Sequence, residues 1–547
     1  MDLVEKAIRV ALLLAVLVLA SYLRITGLDW GLTSGYGSTR NFHPDEFYSL
    51  RGVLQIDLLK GRLEAPAAYF EGTFNYYLWA VPKAALKLLG KSQALSDASR
   101  YGENHGDLLY LCRSMSVFFD VCTVIVVFLA IKEGTHEFYP SLLGALCYAA
   151  LPMQVIYAHF MRPHVLSNLL CSLVIWLSLK VQSRPTWWML LGAGFISGLG
   201  AATRYPVAII AVIPCLYLLL ARGMDSDGRE KRLLDRVKAF VSRSLWLIVV
   251  GFAAGLFIGH PELFLDSRRV IAAITRETMK YASSQEFNAN KLLNLSLVWQ
   301  YISYLIPFAM YPFLWLPPYC AILYLVFRRK LYSRSLPILI FSALYLYCIA
   351  KGYLGQAIFA RTTMLLFPGF CILVGLAYGD LLRLLKKQRM SAILLTIVTV
   401  LVIAPSVVFD VAYAHAMEQK DVRSALREDL NRMIANSPAT IAVSRFGPWF
   451  YTVMPAVEPL KSKSVTVQPQ EADQPADFFL VGFTGPIDTT QTEAMIRRIE
   501  QQGNFKYERT YNVRPKILER QFQLARFPPD MTYPFPTILL FRAKTEA

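Results

Sequence analysis

Two neighbouring segments decide the reading of this chain: AIRVALLLAVLVLASYL at Ala7–Leu23, and Asn41-Phe42-His43-Pro44-Asp45-Glu46 just beyond it. The first is an apolar run of membrane-spanning length. The second sets adjacent carboxylates past its end. Acids are costly near hydrocarbon, so acids held at a membrane boundary mark a place where a proton or a cation is managed. A solvated loop with a Pro turn is the plainer account of the same residues.

Outward from these segments, the whole chain is apolar. Its 547 residues are 55% hydrophobic and 13% aromatic, with mean hydropathy +0.39, too apolar for a soluble globule. Apolar stretches of roughly 17 to 22 residues recur to about residue 412, each long enough to cross a ~30 Å hydrocarbon core. None follows. The fold class is therefore mainly α: a polytopic membrane protein over 1–412, with a soluble α/β domain over 413–547. The first run follows Lys6 and Arg9, yet no small-x-small cleavage site closes it, so it reads as an uncleaved first span.

The net charge of +17 sits largely in three short loops: Arg222 to Arg243, Arg328-Arg329-Lys330 with Arg334, and Arg383 to Arg389. Basic residues between spans mark the cytoplasmic side, which makes the charge a matter of topology and headgroup attraction and not of nucleic acid. Counting from those loops puts 25–112 outside as a long loop. Phe74 to Trp79 within it reads as a helix lying along the interface. One of two apolar runs between 295 and 327 must also be interfacial. About eleven spans then leave the tail outside.

In that tail, Val422, Leu426, Leu430 and Met433 repeat at helical spacing. Ile441–Val443, Phe478–Val481 and Ile538–Phe541 are strand-like, and Gln468 to Asp477 reads as an exposed loop. The eight cysteines all lie within or beside spans with no paired spacing, as buried small apolar residues.

Polar residues collect at the external ends of the spans. Arg113 opens one, His159, Arg162 and His164 crowd a short turn, Arg204 ends another, His260 and Glu262 mark a third exit, and Arg361 begins a fourth. Taken singly, each arginine can snorkel to headgroups. Taken together, on the side of Asp45 and Glu46, they suit a lipid-linked phosphate, because a guanidinium stays charged and donates in a fork.

These segments resemble the GT-C superfamily of integral-membrane glycosyltransferases, which includes protein O-mannosyltransferases, lipid A aminoarabinose transferases and GPI mannosyltransferases. His43-Pro44-Asp45-Glu46 stands where that family has its Asp-Glu pair. Arg113-Ser114-Met115-Ser116 resembles its Arg-x-x-Ser opening, and Gly198 to Tyr205 its Gly-x-x-x-x-Thr-Arg/Lys-Tyr turn. Arg361 to Pro368 is similar to a late-span motif, with Thr362 in place of an aromatic residue. Asp421-x-Arg423 is similar to the start of the tail in the aminoarabinose-transferase branch. The chain departs from the pattern at His159 to His164, where many relatives carry an acid.

The resemblance implies a GT-C fold and transfer of a sugar from a polyprenyl-phosphate donor to an acceptor hydroxyl on a lipid, glycan or protein, at the external face and with inversion. It implies Asp45 as the base and Glu46 as its catalytic companion. His43, Arg113, Arg162, His164, Arg204, His260 and Arg361 would hold the donor's phosphate and sugar. No cofactor is required by this reading. A divalent metal has candidate ligands in the external His, Asp and Glu residues, but no spacing among them is diagnostic. The competing class is a transporter or flippase; charges gathered at span ends, the long external loop and the external tail favour the enzyme. The expected location is a bacterial inner membrane, with the site and the tail on the periplasmic side.

Overall fold

The computed structural model describes residues 3–32, 42–43, 45–90, 105–183, 186–220, 245–282, 295–328, 331–350, 359–385, 388–434, 437–444, 452–457, 460, 465–470, 475–485, 487 and 489–544. The basic loop 222–243, together with Arg329, Lys330, Lys386 and Lys387, lies outside the described residues.

The main helices, in chain order, are α1 (Leu3–Ile25), α2 (Glu46–Gln55), α3 (Phe74–Leu88), α4 (Gly106–Thr135), α5 (Phe138–Ala149), α6 (Pro152–Ala158), α7 (His164–Ser183), α8 (Trp187–Thr203) and α9 (Val212–Leu220). After them come α10 (Leu245–Gly259), α11 (Ser267–Ala282), α12 (Leu295–Gln300), α13 (Leu316–Phe327), α14 (Tyr332–Ala350), α15 (Phe367–Leu384), α16 (Arg389–Glu418), α17 (Val422–Ile434) and α18 (Thr489–Gln501). Two compact units emerge. The first comprises Met1–Arg24, Gln55–Val81 and Met115–Asp410; the second comprises Ile25–Leu54, Pro82–Ser114 and Val411–Ala547. The second unit thus takes in, besides the tail, two stretches of what the sequence presents as one external loop.

Among the described residues, five helices are long and apolar enough to cross a membrane, or six if the bent pair α5 and α6 forms one span. Five further apolar helices have 10–17 residues. The expected count of about eleven spans is therefore not confirmed among the described residues. Prolines account for part of this. Pro152 starts α6 after a 59° bend, and Pro206 opens a 3₁₀ segment at Tyr205–Ala211 before α9. A proline lacks the N–H of a continuing helix and is tolerated at a first turn.

The tightest packing in the first unit is between α8 and α10. A Cβ added at Gly194, Gly198, Gly251 or Gly255 would fall 2.0–2.3 Å from a carbonyl oxygen of the facing helix. Small residues let two backbones meet, which is how apolar helices gain dispersion energy where no hydrophobic drive separates them from lipid. A buried charge pair ties α1 to α4. Arg24 bonds Asp120 and donates to the carbonyls of Ala20 (3.0 Å) and Ala149 (2.9 Å), while Tyr148 donates to Asp120 (2.9 Å).

In the second unit the tail is an α/β layer structure. Strands β1 (Ala439–Ser444), β2 (Val465–Gln470), β3 (Phe478–Phe483), β4 (Phe505–Tyr511), β5 (Lys516–Ile517), β6 (Arg520–Gln521) and β7 (Thr537–Ala543) include a sheet of order β2-β1-β3-β7-β4. β1 is parallel to β2 and β3; β7 is antiparallel to β3 and β4. Alternation does the sorting. Ile441, Val443, Leu480 and Leu540 meet Leu426 and Leu430 of α17 on one face, while Ala442, Phe479, Val481 and Phe541 meet Ile499 of α18 on the other. The helix and three strands read from the sequence are present. The expected loop at 468–477 is corrected at its start, because residues 468–470 continue an edge strand.

Candidate functional site

The Asp-Glu pair belongs to the second unit. Asp45 precedes α2, and its carbonyl accepts from the amide of Ser49 (3.4 Å), the first turn of that helix. Aspartate is favoured at this boundary, where a carboxylate also meets the positive end of the helix dipole. The Asp45 amide donates to Nδ1 of His43 (3.1 Å), which fixes the backbone just before the helix. At the far end of α2, buried Lys83 donates to the carbonyls of Val53 (3.2 Å) and Leu54 (2.7 Å). Both ends of the short helix are thereby anchored.

Asp45 is half-buried, whereas Glu46 is fully buried. The Glu46 carboxylate takes a two-pronged bond from Arg113, with Nε at 2.9 Å and Nη2 at 2.7 Å. Nη1 of Arg113 donates to the carbonyls of Leu28 (3.1 Å) and Trp30 (2.7 Å). Arg113 directs its guanidinium into the protein, where it fastens Glu46 to the segment after α1.

The remaining candidates lie in the first unit, arranged around an acid that the sequence reading passed over. Glu71 accepts from Arg162 (3.0 Å), lies 3.8 Å from Nε of Arg204, and accepts from Tyr76 (3.3 Å). Its neighbour Gly72 explains the position. That residue has φ +130°, and a Cβ there would meet the carbonyl of Ala202 at 2.4 Å, so glycine lets the chain pass against the end of α8 where Arg204 follows. Arg361 lies over the ring of Phe359 (4.1 Å) and donates to Tyr157 (3.4 Å). The positive charges of Arg162 and Arg361 are both felt at Arg204. Two guanidiniums thus meet one carboxylate, and the charge of a third, Arg361, reaches Arg204.

His164 begins α7 with its ring edge-on to Tyr157, 5.0 Å away. His260 belongs to a neighbouring chain of contacts. The hydroxyl of Tyr205 bonds the carbonyl of Tyr69 (2.6 Å) and Nε2 of His260 (2.9 Å); Nδ1 of His260 is 3.3 Å from Glu262, which accepts from Tyr77 (2.8 Å). Burial, together with the negative charge of Glu262, pushes the Tyr69 hydroxyl up to about 12. Among the described residues no group of three or more His, Cys, Asp or Glu is placed to hold a metal ion.

The set that the sequence presents as one external face is thus divided between the units. His43, Asp45, Glu46 and Arg113 belong to the second; Arg162, His164, Arg204, His260 and Arg361 belong to the first. Glu71 and Tyr205 were missed. The signal for Glu71 was a lone acid beside a glycine, immediately before an aromatic run.

Comparison with known proteins gives three findings. Residues 106–229, which contain Arg113, Arg162, His164 and Arg204, match the family model described as dolichyl-phosphate-mannose-protein mannosyltransferase. No curated protein sequence matches the chain. Among solved structures, the chain is similar to ArnT from Cupriavidus metallidurans bound to undecaprenyl phosphate, with 13% identity, 99% of this chain and 98% of that one covered, and a TM-score of 0.46. It is also similar to the archaeal oligosaccharyltransferase AglB from Archaeoglobus fulgidus in complex with an inhibitory peptide and a dolichol-phosphate, with 12% identity, coverages of 97% and 78%, and a TM-score of 0.47.

Proposed function

We propose that this chain is an integral-membrane glycosyltransferase that moves a sugar from a polyprenyl-phosphate donor to an acceptor hydroxyl on a lipid, glycan or protein, with inversion at the anomeric carbon. The observation that carries the reading is the pairing of both Arg162 and Arg204 with a single carboxylate, Glu71, with the charge of Arg361 acting on Arg204, which leaves net positive charge for a phosphate. The family-model match over 106–229 supports the same class.

Asp45, half-buried, accepts the acceptor's proton as the acceptor oxygen attacks the anomeric carbon. The bond from that carbon to the phosphate oxygen breaks, and the lipid leaves as a phosphate monoester. The charge developing on it calls for guanidinium donors. No nucleotide and no metal step is required. We place the reaction at the external face of a bacterial inner membrane, with residues 413–547 in the same compartment, on the strength of the loop charges.

The test is single-turnover transfer from a synthetic polyprenyl-phosphate sugar by purified protein in detergent. Asp45→Asn keeps the shape and removes the base, so turnover should fall by about 10²- to 10⁴-fold while donor binding persists. Wild-type transfer by Asp45→Asn would remove the base from this loop. Donor binding without any transfer by the wild-type protein would favour a transporter.

A further inference from the structure

We propose that Asp421 and Arg423, at the start of the tail's first helix, are positioning residues for the Asp45 loop, with Trp30 as the part between them. The inference rests on the reading of Asp45 as the base. It assigns the tail a part in the chemical step besides any part in acceptor choice.

Asp421 lies immediately before α17, and its Oδ1 accepts from the backbone amide of Arg423 (2.8 Å), an ordinary helix cap. The same carboxylate does two further things. It takes the fork of Arg423, with Nε at 2.8 Å and Nη2 at 2.7 Å, and it accepts from the indole of Trp30 (3.1 Å). Arg423 is 1% exposed, and Nη1 is the part that reaches away from Asp421: it donates to the carbonyl of Phe42 (3.1 Å). Its plane lies over the ring of Phe42 at 4.1 Å and over Trp30 at 5.2 Å.

Phe42 is three residues before Asp45. The next residue, His43, meets Tyr533 of the tail edge-to-face at 5.0 Å and takes the amide of Asp45 on its Nδ1. The chain from the Arg423 anchor to the base therefore spans at most about 10 Å. Trp30 joins this clamp to the fork already described, since its carbonyl accepts from Arg113 (2.7 Å) and Arg113 lies 5.8 Å from its ring. A cap alone needs only Asp421. The aromatic stack and the bond to the Phe42 carbonyl serve the loop.

A displacement of about 1 Å at a reacting group can lower turnover about 10²-fold. Arg423→Lys keeps the charge but loses the planar fork and the stack. It should lower the single-turnover rate by roughly that factor while leaving the donor's dissociation constant within about twofold of wild type. Trp30→Phe keeps an aromatic ring while removing the indole donor and part of the indole's bulk, and should give a smaller loss in the same direction. It carries the test if the lysine variant does not fold. The deciding measurement is the double variant with Asp45→Asn. If Arg423 acts through Asp45, adding Arg423→Lys to Asp45→Asn lowers the rate little further. A loss that multiplies fully in the double variant, or an unchanged rate in both Arg423→Lys and Trp30→Phe, overturns the proposal while leaving Asp45 as base. Wild-type activity in Asp45→Asn overturns both.

Discussion

At the residue scale, adjacent acids have opposite settings. Glu46 is enclosed and doubly bonded to Arg113, whereas Asp45 keeps part of its surface. Removing one partner of a buried pair leaves an uncompensated charge, which costs about 3–5 kcal/mol. Glu46→Gln should therefore lower the unfolding midpoint of the detergent-purified protein markedly, and pairing it with Arg113→Gln should recover part of the loss. Asp45→Asn should unfold close to the wild type. The reverse ranking would mean that Glu46 is the exposed, working acid. For Arg162, Arg204 and Arg361, replacement by lysine keeps charge and loses the planar fork. Donor affinity, measured with a radiolabelled polyprenyl phosphate, should weaken in Arg162→Lys, Arg204→Lys or Arg361→Lys. Normal binding by all three would place phosphate recognition elsewhere.

At the scale of elements, the contact of α8 with α10 tolerates no side chain. Gly255→Leu would drive its Cβ to within 2.0 Å of the Phe195 carbonyl, a backbone atom that cannot rotate aside. The variant should fail to accumulate as folded protein, whereas alanine at Gly61, with nothing within 4 Å, meets no such obstacle and tests only its left-handed φ of +67°. Expression and monodispersity by fluorescence-detected chromatography would show it.

The same elements show what was legible in the sequence. Apolar runs announced the long helices because lipid sets their length, and short continuous apolar runs announced β1, β3 and β7 because these strands are buried on both faces. The edge strand β2 ends in Gln468-Pro469-Gln470, and β4 reads FKYERTY, with its polar residues exposed, so neither carries a hydrophobic signal. The arginines were visible as misplaced charge. Their partners were not, since Arg113 with Glu46 and Arg162 with Glu71 are separated by 67 and 91 residues and only the folded chain pairs them.

At the scale of the whole molecule, the charge pattern of the loops predicts that residues 25–112 and the tail share one compartment, opposite the basic loop 222–243. A cysteine placed at Leu518, which is 89% exposed on the β5–β6 hairpin, should react with an impermeant maleimide in intact cells when the background carries no other cysteine. Labelling only after permeabilisation would invert the orientation.

The bond from Arg423 to Phe42 joins positions 381 residues apart. At roughly 5–20 residues per second, a ribosome takes about 20 to 80 s to travel between them. Throughout that interval the Asp45 loop lacks the tail that clamps it. A chain cut short by a premature stop codon before Asp421 never acquires the clamp, even when every apolar helix has entered the bilayer. Synthesis through Arg423 is thus the condition for setting this clamp on the Asp45 loop.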